Sequence, residues 1–362
     1  MTVAANLLGM SRAELERWFA VLGEKPFRAR QLMRWLYVQS MRDPAQMTDL
    51  SQALRERLGR EAAFDLPVIQ ARQDAADGVV KWLLAAGAGQ AIETVFIPEP
   101  DRGTLCVSSQ VGCAMDCSFC ATGKQGFNRN LSASEIIGQF ILAREALSDG
   151  ENSPITNVVF MGMGEPLANF RAVVQAADLL TDDLAYGLSR RRVTVSTSGL
   201  VPQMRRLAEQ VRVALAVSLH APDDELRNVL VPINRRHPIG ELLPACWDYA
   251  ERANIREITF EYVMLDGIND SVAHARRLAR LLRGKPAKVN LIPFNSFPGT
   301  GYRRSSEPAI EDFREVLREA DIMTITRRTR GDDIDAACGQ LAGRVHNLVR
   351  APLGGKSLES HC

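Results

Sequence analysis

The sequence predicts an α/β fold: an open or closed (β/α) barrel preceded by a small helical domain and a short β linker. Three observations carry this. From Leu105 onward short apolar strands alternate with amphipathic helices. Residues 1–64 show helical periodicity, and residues 65–100 show the two-residue alternation of strands. Repeated βα units require parallel strands joined by right-handed crossovers, and the seven units here are enough to curve into an open or closed barrel.

In the helical domain, Ser11 and Glu14 have the spacing of a capping box ahead of LERWFA. FRARQLMRWLY is amphipathic, and DLSQALRERLG closes the set. In the linker, PVIQA and VVKWLLA flank a turn-like AADG, and AIETVFI runs toward Pro98. The barrel strands then read LCVSS, NVVFMG, VTVSTSG, VALAVSLH, EITFEYVML, KVNLIPF and IMTITR, each followed by a helical segment, the first opened by Ser132 and Glu135. The expected domains are 1–64, 65–100 and 101–350, with GGKSLESHC in a flexible tail over 351–362.

With 46% hydrophobic and 24% charged residues, the 362-residue chain can bury one large core and a small additional domain. The N-terminus has no basic region leading into an apolar run, and no apolar stretch approaches the ~18 residues of a membrane span. A cytoplasmic protein without a membrane partner is expected, and a monomer is the simplest assembly. Seven cysteines without a secretory signal argue against a disulfide scaffold and toward metal or redox chemistry; four of them lie between Cys106 and Cys120. A net charge of +1 does not mark a nucleic-acid binder. Arginines nevertheless cluster at Arg190–Arg192, Arg235–Arg236, Arg303–Arg304 and around Arg327, Arg328 and Arg330. Such runs are ordinarily solvated loop charges, and only convergence on one face would make them a phosphate-binding surface.

In such barrels chemistry gathers at the C-terminal ends of the strands. Just past the first strand stands CAMDCSFC, with Cys113, Cys117 and Cys120 at C-x3-C-x2-C spacing. Zinc would ask for a fourth protein ligand, and none lies at a usual spacing. A [4Fe-4S] cluster held by three thiolates leaves one iron open, which a small molecule carrying an amine and a carboxylate can chelate; S-adenosylmethionine is such a molecule. Further strand ends carry Gly162-Met-Gly-Glu-Pro166, Ser196, Ser218 with His220, Asn295 and, after the seventh strand, Cys338. In GMGEP, Gly162 and Gly164 would let backbone approach a ligand and Glu165 could take its ammonium. Taken singly, a serine at a strand end more often caps a helix, and a lone histidine is a satisfied loop residue. Cys246 falls on an apolar helical face and belongs to the core; Cys362 belongs to the tail.

CAMDCSFC is similar to the radical S-adenosylmethionine signature. The runs SSQVGCAMDCSFCATGKQGFNRNL, VFMGMGEPLAN, VTVSTSGLVP, VSLHAP and GDDIDAACGQL resemble the RlmN family, dual-specificity adenine-C2 methyltransferases of 23S rRNA and tRNA, and the N-terminal helices fit that family's accessory domain. The resemblance implies a partial (β/α) barrel of the radical SAM type and an RNA-binding role for residues 1–64. It assigns the [4Fe-4S] cluster to Cys113, Cys117 and Cys120. Contacts to S-adenosylmethionine fall to Gly164, Glu165, Ser196, Ser218, Leu219, His220 and Asn295, and catalysis to Cys338 and Cys106, with Glu93 as a proton acceptor. Read without the family, Glu93 is a surface carboxylate on a short strand.

Carbon 2 of adenine is electron-poor and its hydrogen is not acidic, so it cannot attack the methyl of S-adenosylmethionine directly. The resemblance implies a detour. Cys338 first takes a methyl; a 5′-deoxyadenosyl radical from a second molecule abstracts hydrogen from that S-methyl group, and the resulting carbon radical adds to the ring. Cys106 then attacks the Cys338 sulfur, releasing RNA and leaving a transient disulfide that a reductant such as flavodoxin reopens. The expected targets are an adenosine in the peptidyl-transferase region of 23S rRNA and the adenosine at position 37 of tRNAs. Two alternatives stay open: a Cfr-type enzyme methylating carbon 8, and a noncatalytic metal-containing RNA-binding protein with passive core cysteines.

Overall fold

A computed structural model describes residues 4–148 and 153–347; the expected tail with Cys362 lies outside them. The first helix, Arg12–Val21, opens where the Ser11–Glu14 spacing places it, each residue's side chain bonding the other's backbone N–H. A second helix, Phe27–Met33, runs into a wider π turn over Arg34–Val38, and a third, Gln52–Glu61, is capped by Ser51. Leu15, Phe19, Leu32, Leu36, Leu54 and Leu58 recur at helical spacing and are buried together. The two-residue strands Ala5–Asn6 and Ala62–Ala63 pair in parallel, tying the start of this unit to its end.

Polar contacts seat the helices on the barrel. Arg12 bridges Asp182 and Asp183 at 2.6 Å each, Arg42 meets Glu145 at 2.5 Å, and Glu14 takes bonds from Arg171 and Gln175 besides its capping role. Gly9 has φ +88°, and a Cβ there would stand 2.3 Å from the backbone nitrogen of Ser134, so only glycine permits this approach.

Ten strands form the main sheet: β1 (Ile69–Asp74), β2 (Val80–Ala85), β3 (Ala91–Glu99), β4 (Arg102–Cys106), β5 (Asn157–Phe160), β6 (Val193–Thr197), β7 (Ala214–Ser218), β8 (Ile258–Met264), β9 (Ala287–Pro293) and β10 (Met323–Thr326). Their spatial order is their chain order. From β4 to β10 every neighbouring pair is parallel, and helices such as Ala133–Leu147, Phe170–Thr181 and Ile239–Ala253 carry the chain back between strands. The sheet stays open, with β1 and β10 at its edges, so the barrel is partial. The β linker is present as β1–β3, antiparallel strands that continue the barrel sheet through β3 and β4 instead of standing apart from it. Among the described residues no helix is long and apolar enough to cross a membrane.

Candidate functional site at the C-terminal rim of the barrel

Because the seven strands run in parallel, the segments that follow them share one rim. The cysteine loop leaves β4 through Gln110–Gly112, which pairs with Phe127–Asn130. Gly112, at φ +78°, closes that ribbon tightly: a Cβ would meet the Gly126 carbonyl at 2.1 Å. The loop is then fixed by its own backbone, Cys113 N–H on the Gly126 carbonyl at 2.7 Å and Ser118 N–H on the Leu230 carbonyl at 3.1 Å. Burial pushes the thiols of Cys113 and Cys117 well up, as befits sulfurs that ionise only when a cation draws the proton off.

Cys113, Cys117 and Cys120 line a cavity of about 170 Å³. Gly164, Glu165, Ser196, Ser218, His220 and Cys338 line the same cavity, so nine of the thirteen residues to which the resemblance assigns a role meet there, together with Gly162. Four do not reach it. Leu219 is fully buried beneath the rim, Asn295 and Glu93 stand behind the Cys338 loop, and Cys106 is buried beside Met161. Glu93 is not the surface carboxylate that its strand position suggests: its side chain is about nine-tenths covered and ion-paired to Lys81 at 3.4 Å.

The GMGEP turn differs from expectation in what its glycines accommodate. A Cβ on Gly162 would strike Ser108 Oγ at 2.7 Å, and one on Gly164, at φ +100°, would stand 2.5 Å from Gln110 Cβ. Both glycines are demanded by the neighbouring chain, in addition to any ligand. Glu165 is 3% exposed. Its Oε1 accepts the Leu167 N–H at 3.0 Å, and its Oε2 accepts the N–H and the hydroxyl of Ser198, both at 2.7 Å. Burial raises its carboxyl above the ordinary range, against the pull of these donors. Sequence reasoning passed over Ser198, although it stands two residues past Ser196 in the same VTVSTSG run.

His220 has φ +58° and is 4% exposed. Its Nδ1 accepts the Val263 N–H at 3.0 Å, which places the ring proton on Nε2. Burial, aided by the charge of Arg227, pushes its pKa down to about 3, so the imidazole is neutral. Its ring meets Phe119 of the cysteine loop edge-on at 4.5 Å.

Cys338 is exposed on a loop that crosses the rim, and that loop is pinned along its length. Ala121 N–H bonds the Gly339 carbonyl at 2.9 Å, Thr122 Oγ1 the Leu341 carbonyl at 2.6 Å, and Asn295 Nδ2 the Cys338 carbonyl at 3.2 Å. Glu93 Oε2 accepts the Ala342 N–H at 2.8 Å and Lys81 Nζ donates to the Asp335 carbonyl at 3.3 Å. The Glu93–Lys81 pair therefore straps the Cys338 loop to β2 and β3. Arg327 Nη1 lies 3.7 Å from Cys338 Sγ, while its Nη2 donates to Glu261 Oε1 at 2.8 Å and lies 3.9 Å from Met161 Sδ. Met161 presents its N–H to Cys106, whose thiol burial and the neighbouring Cys338 push up to about 12. Both cysteines are free thiols.

The arginine clusters divide. Arg190–Arg192 are exposed on a short turn that enters β6, at the rim opposite the cavity. Arg303, Arg304 and Arg328 follow β9 and β10 on the cavity side, whereas Arg327 is a member of the cavity itself.

Comparison with known proteins agrees with this geometry. Residues 5–64 match the Ribosomal RNA large subunit methyltransferase N-terminal domain, and residues 107–279 match the Radical SAM superfamily. The crystal structure of a radical SAM methyltransferase from Sphaerobacter thermophilus is similar at 46% identity and a TM-score of 0.86, over 93% of this chain and 99% of that one. A domain of pyruvate-formate lyase-activating enzyme from Bacteroides vulgatus is similar at 17% identity and a TM-score of 0.37, over 48% of this chain and 99% of that one. The HydG maturase of Carboxydothermus hydrogenoformans is similar at 14% identity and 0.43, over 68% and 62%. With its N-terminal domain, its cysteine-bearing partial barrel and this near full-length likeness, the chain belongs to the RlmN-type radical SAM methyltransferases.

Proposed function

We propose that the protein methylates carbon 2 of an adenosine in RNA, with 23S rRNA and tRNA as substrates. The observation that carries this reading is that Cys338, more than two hundred residues from the cysteine motif, lines one cavity with it while Cys106 lies buried beside Met161.

The residues fit an iron–sulfur cluster better than zinc. Among the described residues no three His, Cys, Asp or Glu side chains converge tightly enough to hold a single ion, yet three cysteines share one cavity. Sulfurs spread in this way suit a polynuclear group in which each thiolate takes a different iron. Cys113, Cys117 and Cys120 would hold it. When bound and reduced, it supplies the electron that cleaves S-adenosylmethionine to a 5′-deoxyadenosyl radical.

Everything else falls to the chain's own side chains. The cavity-facing Cys338 sulfur, as thiolate, displaces the methyl from a sulfonium, forming one S–C bond as another breaks. The pinned loop holds the resulting S-methyl group in place, so hydrogen abstraction and addition to the base occur at one fixed point. Glu93, outside the cavity lining but bonded by the Ala342 N–H to the Cys338 loop, is the acceptor that the family resemblance assigns to the proton lost from the ring. Cys106 closes the cycle by attacking the Cys338 sulfur: the S–S bond forms as the S–C bond breaks, and the released carbon takes up the Cys106 proton and leaves as a methyl on the RNA. The one unpaired electron left by radical addition would return to the oxidised iron–sulfur group, and an external two-electron reductant reopens the disulfide.

Nucleoside mass spectrometry tests the reading. Unmodified 23S rRNA fragment and tRNA are incubated anaerobically with iron-loaded protein, S-adenosylmethionine and a reductant. 2-Methyladenosine is the expected product. 8-Methyladenosine would transfer the protein to the Cfr-type reaction, and no methylated adenosine despite cleavage of S-adenosylmethionine would remove RNA adenine as the substrate.

A further inference from the structure

Arg227 is a cation that neither the motif nor the proposed chemistry employs. It is 0% exposed, and its four hydrogen bonds all go to neutral groups: Nε to the Leu219 carbonyl (3.1 Å), Nη1 to Asn234 Oδ1 (2.7 Å), and Nη2 to the carbonyls of Ser198 (2.7 Å) and Ser218 (2.9 Å). The carboxylate of Asp224 is reached only at one remove, since Asn234 Nδ2 donates to it at 2.9 Å. Burying a guanidinium without a direct anionic partner is costly, and an anion held nearby would offset that cost.

The surroundings identify where that anion belongs. Arg227 stands on the short helix Asp224–Leu230, and the Leu230 carbonyl of the same helix holds the cysteine loop through Ser118 N–H. Leu230 shares an apolar cluster with Met115, against which Cys113 and Cys117 also pack. Ser198 and Ser218, whose carbonyls Arg227 grips, line the same cavity as those cysteines. Burial pulls the guanidinium down to about 10, with the sulfur of Cys117 opposing that shift, so it remains charged at neutral pH. The other titratable groups at this wall do not substitute for it. Glu165 is an acid, His220 is neutral, and Arg327 is already paired with Glu261.

We propose that Arg227 is a positioning residue whose fixed positive charge stabilises the reduced form of the iron–sulfur cluster on Cys113, Cys117 and Cys120 and so raises its reduction potential. This rests on the cluster assignment made above. A cluster on three thiolates is already anionic, and one-electron reduction adds a further negative charge. A cation fixed in a low-dielectric wall favours that added charge more than one in water would. By gripping two strand-end carbonyls, Arg227 also holds the charge at a constant distance.

The test is a potentiometric titration of the full-length, anaerobically iron-loaded protein, followed by the electron paramagnetic resonance of the reduced cluster, with iron and sulfide counted in each sample. Wild type is compared with Arg227→Lys, Arg227→Gln and Arg227→Met. The expected result is a more negative potential in both neutral variants at wild-type iron content, with Arg227→Lys between them and wild type. Should Arg227→Met fail to load iron, Arg227→Gln, which keeps amide donors for the carbonyls, decides the question alone. A neutral variant with full iron content and the wild-type potential would overturn the proposal and leave Arg227 a structural residue. Wild-type protein holding zinc without sulfide would instead overturn the cluster assignment, a result distinguishable from the first.

Discussion

At the scale of single residues, the two thiols proposed as catalytic are set in opposite environments. Cys338 is exposed beside Arg327, whereas Cys106 is buried and its thiol pushed up to about 12 by burial and by Cys338. A methyl acceptor must be open to the cavity. A resolving thiol that stays protonated until the adduct forms does not compete for the methyl. Replacing Cys106 with Ala removes the group that frees the RNA, so a covalent protein–RNA adduct through Cys338 is expected to accumulate, with product formation reduced at least a hundredfold. Denaturing gel shift and peptide mass spectrometry check this, and multiple turnover by the Ala variant would remove Cys106 from the cycle. Most of these residues could be read from their chemistry in the sequence. Arg227, Glu261 and Arg327 could not, because an arginine or glutamate near a strand end reads as surface charge until burial is known.

At the scale of elements, the helix Ala133–Leu147 shows how local signals position the site. Ser132 and Glu135 cap its start reciprocally, and Arg129, from the ribbon that closes the cysteine loop, holds Glu135 at 2.7 Å. Burial pushes the Glu135 carboxyl up, but the bonds from Arg129 and Ser132 outweigh it and hold the group below the ordinary carboxylate range. Its contribution to stability is therefore present above the unfolded-state value and is lost as pH falls through the lower folded-state value. Glu135→Gln should cost about 1 kcal/mol at neutral pH, as loss of a cap does. The difference from wild type should begin to shrink below about pH 4, where the unfolded-state carboxylate takes up its proton, and continue to shrink as pH falls through the lower folded-state value. Urea denaturation at a series of pH values measures both; a constant difference across that range would mean that Arg129 adds nothing. The capping box was legible because its partners lie three residues apart. The Arg129 pairing depends on how the ribbon folds back.

At the scale of the whole molecule, parallel topology decides which charges share a rim with the cavity and so could meet the proposed RNA substrate there. Arg303, Arg304 and Arg328 are on the cavity rim, and Arg190–Arg192 are at the other end of the barrel. Charge reversal of Arg303, Arg304 and Arg328 to Glu should weaken RNA binding at least tenfold. It should also flatten the dependence of affinity on salt, by about one unit of slope for each phosphate that an arginine no longer neutralises. The same change at Arg190, Arg191 and Arg192 should leave both within twofold of wild type. Filter binding across a salt series checks this, and equal losses of affinity in the two triple variants would mean that RNA wraps the barrel beyond its C-terminal rim.

The amino-acid sequence by itself determined the alternation of strands and helices, the cysteine triplet, the capping boxes and the strand ends that carry small polar groups. Each of these is written in residues a few positions apart, where period, spacing and side-chain chemistry act directly. Tertiary structure alone decided which of those residues share a cavity and what holds them there. Arg327 meets Glu261 across 66 positions, Glu93 meets Ala342 across 249, and β1–β3 become part of the barrel sheet instead of a separate connection. Such pairings depend on strand order and on burial, which concentrates charge–charge and hydrogen-bond energies where water is excluded; no local pattern encodes either.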